Sequence, residues 1–441
     1  MATKHIVSCQ VATEPTYGDI DSTSGQPNDP ATNTYYAAEI SDRATLVMPG
    51  DPVMTDVNTV SRNGLYELPP EPASLVDSSG DMIKRRKGEV TLTMPARMVG
   101  DGTNYDSFNK MPLFNIANTA LQEFENATVG TDVVATADTV TSHTATDATK
   151  FAVGNGFKVV INGRVEYSFV TDITGAVLTY SPALSTPLTL AQVVYPLHEL
   201  IIPSSGVPTT IPSVALKLNG IGWEARCSGC TVTGIEWVYT AETGRIDMTF
   251  TIDCAYIDYE NVANDTVPVL YSDGGVLHCL KSYLVVSSTG GTRPTPVTAP
   301  AALARTAYCL DEWNFKLNIV RSANGCDQTM LGQSDFEHTD YTAEGSVTLG
   351  STSTAFDDDL WNGTMRSILI GFNSGQAEDS GEGGCLMIPA AVLKNDPEKR
   401  DTGKDHLRTM LNFGIGPWFG DTDGSDPADS LFRFCMGDIF A

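Results

Sequence analysis

The segment from Arg245 to Cys254 alternates strictly between polar and apolar side chains. An alternation of period two places one set of side chains on each face of an extended chain, which predicts a β-strand with one buried face. Its length is at the long end for a strand. The preceding segment, 231–239, is predicted to pair with it through a hairpin connection at 241–244. The chain therefore contains at least one long, half-buried hairpin.

A second strand pattern occurs twice. Gly88-Glu89-Val90-Thr91-Leu92 and Gly345-Ser346-Val347-Thr348-Leu349 have the same alternation, and an apolar-periodic segment follows each, at 111–121 and 360–372. These segments predict two helices, the second beginning at Asp358, whose neighbouring acidic residues favour a helix N-terminus. A repeat of about 250 residues is far longer than the period of a solenoid, so it indicates a duplicated domain.

The predicted fold class is mainly β with a few short helices. It consists of two domains of β-sandwich or barrel-forming type and a small inserted β-domain. The insertion is predicted from the change in composition near residue 126 and from Asn162-Gly163, a pair that favours a type I′ hairpin turn between strands at 157–161 and 164–170. The predicted boundaries are an N-terminal arm and loops at 1–60, a first domain at 61–126 and 201–286, the insertion at 127–200, a linker at 287–300 and a second domain at 301–441.

The chain is strongly acidic. It carries 54 acidic and 27 basic residues, a formal net charge of −27. Such a chain lacks the basic surface that neutralises phosphates in general nucleic-acid binding. The excess charge serves either solubility or a surface that repels a polyanion.

The nine cysteines are an odd number at scattered spacings, which argues against a disulfide framework and favours buried free thiols in a reducing cytoplasm. The first ten residues lack the apolar core of a signal peptide, and no run of 18 apolar residues occurs. We therefore expect neither export nor membrane insertion.

Motifs for catalysis or metal binding are weak. Cys227-Ser228-Gly229-Cys230 has no second ligand pair at zinc-site spacing, and it precedes a predicted strand rather than a helix. The acidic segment 421–426 lacks the spacing and the final Glu of a calcium loop. The six histidines are scattered and no activated nucleophile motif is present. The chain is therefore predicted not to be an enzyme and to need no metal or cofactor.

Three segments together resemble the major tail (tail tube) proteins of long-tailed, non-contractile bacteriophages. They are Lys87-Gly88-Glu89-Val90-Thr91-Leu92-Thr93, Cys230-Thr231-Val232-Thr233-Gly234-Ile235-Glu236-Trp237, and the strand from Gly244 to Ile252. The segments 147–156 and 178–184 look like a small β-module that occurs as an insertion in that family. The resemblance covers most of the chain after residue 60.

The resemblance implies that each duplicated domain contributes strands to a closed β-barrel whose stacked rings conduct DNA. The apolar strand faces would then pack under a helix, through Val90, Leu92, Ile246, Met248, Phe250, Ile252, Val347, Leu349, Leu411 and Phe413. The polar faces would line the lumen, through Glu89, Thr91, Asp247, Thr249, Thr251, Asp253, Ser346, Thr348 and Asn412. The alternative is an ordinary solvated strand face, and Arg245 and Arg408 interrupt an otherwise acidic wall.

The resemblance also implies partners and location. The chain would bind itself in a ring, with three chains in pseudo-sixfold symmetry favoured over six, and the rings would stack. Further partners would be the tape measure protein during assembly, the tail terminator and the distal tail proteins. Double-stranded DNA would pass through to the host without specific binding, and no membrane would be involved. The protein would be assembled in the host cytoplasm and reside in the virion tail.

Three other functions remain open at this stage. A terminator or baseplate hub would form one ring rather than a polymer. An extracellular β-rich binding protein or adhesin would need a signal sequence or an exposed aromatic patch. A hydrolase would need an acid/base or nucleophile arrangement.

Overall fold

A computed structural model describes residues 6–14, 36–38, 44–47, 88–95, 112–124, 132–203, 212–220, 223–240, 244–260, 283–288, 306–324, 335–351, 353–373, 383–401, 407–415 and 430–437. Regular structure in these ranges is almost entirely β-strand, with two short α-helices and one short 3-10 helix. The mainly-β prediction is confirmed.

Five described strands and a helix precede the inserted segment. Helix α1 spans Pro112–Asn118. The strands are β1 (Ile6–Thr13), β2 (Tyr36–Ala38), β3 (Ala44–Val47), β4 (Gly88–Pro95) and β5 (Gln122–Phe124). The prediction that 1–60 forms only an arm and loops was wrong, because β1, β2 and β3 pair within the main sheet. The alternation in Ser8-Cys9-Gln10-Val11, with Cys9 and Val11 fully buried, is the signal for β1.

Eighteen further strands follow. Those of the insertion are β6 (Asp132–Thr139), β7 (Ser142–Ala145), β8 (Gly156–Ile161), β9 (Arg164–Thr174), β10 (Val177–Ser181) and β11 (Val193–Pro196). The next group is β12 (His198–Pro203), β13 (Val214–Gly220), β14 (Trp223–Thr240), β15 (Arg245–Glu260) and β16 (Tyr283–Ser288). The last group is β17 (Thr306–Asn324), β18 (Asp335–Leu349), β19 (Met365–Asn373), β20 (Gly383–Leu393), β21 (Glu398–Asp401), β22 (Leu407–Ile415) and β23 (Ser430–Gly437).

The main sheet folds into two layers that enclose one core. The eight-stranded layer has the order β3-β4-β15-β14-β17-β18-β22-β21, with every neighbouring pair antiparallel. The second layer has the order β5-β12-β23-β20-β19-β16. The start of β17 pairs with β16, and the end of β20 pairs with β22, so both sides of the sandwich are joined by hydrogen bonds.

Both halves of the chain contribute to the same core. The ring centroid of Trp237 lies 5.5 Å from those of Phe315, Phe432 and Phe434. Phe315 and Phe432 stack at 4.8 Å. Trp237 belongs to the first predicted domain and the three phenylalanines to the second. Large buried aromatic side chains dominate core energetics, so neither half encloses its apolar face without the other.

Two irregularities in β14 keep its apolar side chains on one face. The register with β13 shifts between Val214 and Leu216, opposite Ser228 and Gly229, and the register with β15 shifts between Val232 and Gly234. Each extra residue reverses the alternation of the strand. The positions that enter the main core therefore change from odd to even and back to odd, and they are Ala225, Cys227, Cys230, Val232, Ile235, Trp237 and Tyr239.

Helix α1 forms where predicted, and it ends at Asn118 rather than continuing to Leu121. Ile116, Ala117 and Ala120 enter the main core. The Thr119 hydroxyl accepts a hydrogen bond from the backbone N–H of Val232 at 2.8 Å, and the Tyr341 hydroxyl donates to the carbonyl of Ala120 at 3.0 Å. The second half of the chain thus satisfies a carbonyl just after the helix in the first.

The second predicted helix was wrong beyond its first turn. Helix α2 spans only Asp359–Asn362, ends at Gly363 in a left-handed conformation, and is followed by β19. Ile368 and Ile370 face the main core, whereas Leu369 faces a separate apolar cluster. Both faces of β19 are buried, so its sequence is apolar at consecutive positions and periodicity alone does not separate strand from helix.

The insertion forms a closed six-stranded barrel in the order β10-β7-β6-β11-β8-β9. Phe157, Tyr180 and Val194 lie in its own core cluster. The predicted hairpin turn is present, with Asn162 at φ 50° and Gly163 at φ 72° between β8 and β9. Residues 198–200, predicted to belong to the insertion, instead start β12 in the second layer.

The barrel packs on the face of the second layer that points away from the main core. Tyr167 and Phe169 share an apolar cluster with Val285, Leu369 and Met387 of that layer. The Tyr167 hydroxyl donates to the carbonyl of Phe372 at 2.7 Å. Along the chain, Ser287 and Ser288, predicted to begin the linker 287–300, are the last residues of β16.

Within the described ranges, neither α-helix is long and apolar enough to span a membrane.

Candidate functional site: the polar face of the eight-stranded layer

The apolar face of the eight-stranded layer is fully covered. All ten residues predicted for helix packing are buried in the main core: Val90, Leu92, Ile246, Met248, Phe250, Ile252, Val347, Leu349, Leu411 and Phe413. Helix α1 supplies only a small part of their cover. Most of it comes from strands of the second layer and from β1 and β13. The prediction of a helix over each apolar face is therefore corrected to a second layer of strands, because α2 is a single turn.

The nine predicted lumen residues lie on the opposite, polar face of the same layer. They alternate with residues of the main core along β4, β15, β18 and β22, and all but the buried Thr348 are at least partly exposed: Glu89, Thr91, Asp247, Thr249, Thr251, Asp253, Ser346, Thr348 and Asn412. Backbone pairing aligns members from both halves in one row, which runs Asp247, Val238, Asn314, Ser346, Asn412. The two halves thus present a single continuous polar surface.

Hydrogen bonds and an ion pair connect side chains on this face. The Thr93 and Thr249 hydroxyls are 3.0 Å apart, and Asn314 Nδ2 donates to Glu236 Oε1 at 2.8 Å. Lys394 Nζ lies 2.9 Å from Glu344 Oε2, and this hydrogen bond lowers the pKa of Glu344. The lysine and the glutamate are both at least half exposed, so the pair contributes little to stability.

Several residues of this face were not predicted from the sequence. Glu236 on β14, Glu312, Asn314 and Lys316 on β17, and Glu344 on β18 are in register with the predicted set. The alternation of Trp313, Phe315 and Leu317 with polar residues was a sufficient signal for β17. The position of β17 beside β14 was the missing information, because only the register shows which polar residues become neighbours.

Acidic side chains outnumber basic ones on this face among the described residues. The acidic residues are Glu89, Glu236, Asp247, Asp253, Glu312 and Glu344, and the basic residues beside them are Lys316, Arg321 and Lys394. Arg408, whose orientation the sequence left open, forms an ion pair with Asp311, which neutralises its charge. The side chain of Arg245 lies outside the described part of the structure.

The repeated motif occupies related places in the layer. Its copies lie on β4 and β18, which are four strands apart and run in the same direction because each intervening pair is antiparallel. Gly345 shares a row with Phe315, Trp237, Met248 and Met94, and Met94 lies six residues after Gly88. The second copy is therefore displaced along the strands by six residues. An even displacement keeps equivalent side chains on the same face.

The C-x-x-C motif forms an irregular turn of the strand rather than a ligand pair. Gly229 has φ 60°, and its backbone N–H donates to the buried carboxylate of Glu14 at 3.0 Å, while the Ser213 hydroxyl donates to the same carboxylate at 2.5 Å. The extra residue turns Cys227 and Cys230 to the same face, beside Cys254. Within the described ranges, no group of three or more His, Cys, Asp and Glu residues is arranged to hold a metal ion.

The thiols of this cluster differ in acidity. Burial raises the pKa of Cys230 and of Cys254. Hydrogen bonds from these two thiols lower the pKa of Cys227. All three are buried, and a thiol held away from solvent reacts slowly with large reagents.

No protein-family model matches the chain, and no curated protein matches it.

Proposed function

We propose that this chain is a tail tube protein of a long-tailed, non-contractile bacteriophage, which polymerises as stacked rings into a tube that conducts genomic DNA. The observation that carries the proposal is the single polar face shared by both halves of the chain, with all nine predicted lumen residues on it. If each half of the chain forms one segment of the tube wall, the two segments must present one continuous polar face to the lumen. Two independent domains would have no need of a shared face.

The edges of the eight-stranded layer support ring closure. In the described part of the chain, the layer ends at the short strands β3 and β21, each paired on one side only. An even number of antiparallel strands gives the two edges opposite directions. The β3 edge of one copy can therefore pair antiparallel with the β21 edge of the next, in a head-to-tail contact that generates rings. Closure removes unpaired edges that would otherwise promote aggregation.

The displacement between the motif copies also supports a barrel. In a tube, two copies related by rotation about the tube axis lie at the same height along that axis. The motif copies on β4 and β18 are displaced by six residues over four strands, so the strands must be tilted relative to the axis. Six residues at about 3.3 Å and four spacings of about 4.8 Å correspond to a strand tilt of about 45°. Closed barrels have strand tilts of about 35–45°.

The presence of two motif copies in each chain favours three chains per ring over six. Each chain supplies two copies of the motif, so three chains supply six near-equivalent segments, and three times eight strands make twenty-four. The inserted barrel would lie outside the tube, because it packs on the side of the second layer opposite the polar face. Stacking of rings and contacts with the tape measure, terminator and distal tail proteins rest on the family resemblance, as does location in the virion tail.

The chemistry of the polar face suits passage rather than binding. Duplex DNA carries one negative charge per about 1.7 Å, and a basic wall would hold it. Acidic and hydroxyl side chains predominate on this face, and Lys394 is already paired with Glu344. A predominantly acidic wall would repel the phosphates and leave DNA free to slide.

Electron microscopy of the purified full-length chain tests the proposal directly. We expect hollow tubes, or rings of three chains by native mass measurement, formed without other proteins. Rings that never stack would instead assign the chain to a terminator or hub. A protein that stays monomeric at high concentration would contradict any role as a ring component.

A further inference from the structure

Two cysteines of the long hairpin lie directly opposite each other on adjacent strands. Cys230 on β14 is the register partner of Cys254 on β15, and their Sγ atoms are 3.2 Å apart. Directly opposed residues of an antiparallel pair have Cα atoms about 4.5–5.5 Å apart, within the range of about 4.4–6.8 Å found in disulfides. The backbone therefore already has the spacing that a disulfide needs.

Cys227, the third thiol of the cluster, lacks this relation. Its register partner is Ile257, three residues beyond Cys254 on β15. Three residues correspond to about 10 Å along a regular strand, so Cys227 and Cys254 are not directly opposed, although their thiols are hydrogen-bonded to each other. Cys230 and Cys254 are thus the one directly opposed pair among the three neighbouring thiols.

We propose that Cys230 and Cys254 form an oxidation site, which closes to a cross-strand disulfide when the protein meets a small peroxide oxidant. One thiol loses its proton and attacks the peroxide as a thiolate, which cleaves the O–O bond and gives a sulfenic acid, while the released hydroxide takes up the proton as one water. The second thiol attacks the sulfenic sulfur, which forms the S–S bond and releases a second water. Two electrons and two protons leave the thiols, and one peroxide is reduced to two waters.

A second pair has the same register relation in the second layer. Cys385 on β20 is the partner of Cys435 on β23, and both are fully buried. The same reaction is expected there, and each pair can be assigned separately by peptide mapping. This inference does not depend on the proposed tube function, because it concerns the folded chain alone.

The disulfide would link two strands of the eight-stranded layer across the 24 residues that separate the cysteines in sequence. Cross-linking restricts the unfolded chain and stabilises the native state, with allowance for strain. We expect the oxidised protein to unfold at a higher temperature, by a few degrees, and to return to its original midpoint after reduction.

The experiment treats the reduced full-length protein with hydrogen peroxide, removes the oxidant, and then alkylates remaining thiols with iodoacetamide in denaturant. Peptide mapping is expected to show a Cys230–Cys254 linkage that has lost two hydrogen atoms and disappears on reduction. Cys254→Ala should abolish this linkage, whereas Cys227→Ala, a matched change in the same buried cluster, should keep it.

Three results would overturn the assignment. Full alkylation of Cys230 and Cys254 after peroxide treatment would show that the pair does not react. Sulfinic acid at either residue without a bridge would show that the thiol is oxidised but that the second thiol does not close the disulfide. A Cys227–Cys230 bridge in the wild-type chain would show that register does not select the partner. Mapping of the wild-type chain decides all three even if a variant fails to fold.

Discussion

Arg433 and Glu199 form a buried ion pair, with Arg433 Nη1 2.8 Å from Glu199 Oε2. The pair lies where the inserted barrel meets the second layer. The same Nη1 donates to the carbonyl of Gly154, and Glu199 Oε1 accepts from the backbone N–H of Gly156. Burial raises the pKa of Glu199 although Arg433 opposes the shift. One residue from each half of the chain therefore fixes the barrel at its base.

Removing one member of this pair should strongly destabilise the protein. Arg433→Met leaves the Glu199 carboxylate buried without its cation, and such a change costs about 3–5 kcal/mol. Glu199→Gln/Arg433→Met removes both charges and should recover much of this loss, since Gln still accepts from Gly156. Urea unfolding measures the free energies. Lys394→Met, at the exposed pair with Glu344, is the control and should cost less than about 1 kcal/mol. Equal losses for the single and double variants would contradict the explanation.

Stability should fall in mild acid because of buried histidines. Burial lowers the pKa of His198 from 6.5 to about 4. The unfolded chain then binds a proton that the folded chain excludes, so the stabilisation is complete above pH 6.5 and is lost as pH falls from 6.5 towards 4. The shift corresponds to about 3 kcal/mol. The fall in unfolding free energy between pH 7 and pH 4.5 should be smaller in His198→Gln, and an unchanged fall would rule out His198 as a cause.

Gly345 should not tolerate even a methyl group. A Cβ at this position would lie 2.5 Å from Cζ of Phe413 and 3.1 Å from Cδ2 of Phe315. Overpacking of this kind costs about 1–3 kcal/mol. Thermal unfolding should show a lower midpoint for Gly345→Ala, while Gly350→Ala, whose nearest neighbour would be 3.5 Å away, should leave it nearly unchanged. Similar midpoints for the two variants would mean that the aromatic side chains of Phe413 and Phe315 move aside without loss of stability.

Reversing charge on the polar face should convert passage into binding. In assembled tubes, Glu89→Lys/Glu312→Lys places two new cations per chain on that face, and short duplex DNA should then be retained. Retention should fall at least about tenfold between roughly 50 and 200 mM salt. Asp138→Lys/Asp172→Lys makes the same change of charge at exposed positions of the inserted barrel and is the matched control. Equal retention by both variants would place Glu89 and Glu312 outside the lumen.

The sequence was sufficient for local structure wherever one face of a strand is buried and the other is not. The alternation in β15 predicted that strand and both of its faces, and Asn162-Gly163 predicted the hairpin turn between β8 and β9. Prediction was wrong at β19, where Ile368 and Leu369 are buried on opposite faces. In such a strand no polar face marks the period.

The association of the two halves was not predictable from local patterns. The pairing of β14 with β17 brings Glu236 beside Lys316 and Asn314 close to Glu236. These contacts depend on register between strands distant in sequence, and either strand alone is compatible with many partners. The nine residues of the polar face could therefore be named from alternation, whereas their union into one surface required the fold.

The position of β23 sets the order in which the fold can be completed. This strand lies between β12 and β20, and its Arg433 meets Glu199 from 234 residues earlier in the chain. Contacts at such separation form slowly, because a long loop must close before they contribute. During synthesis, the edges of β12 and β20 stay unpaired until the ribosome has released β23. Nascent chains therefore carry these two unpaired edges, which can pair with other chains, until synthesis has passed residue 437.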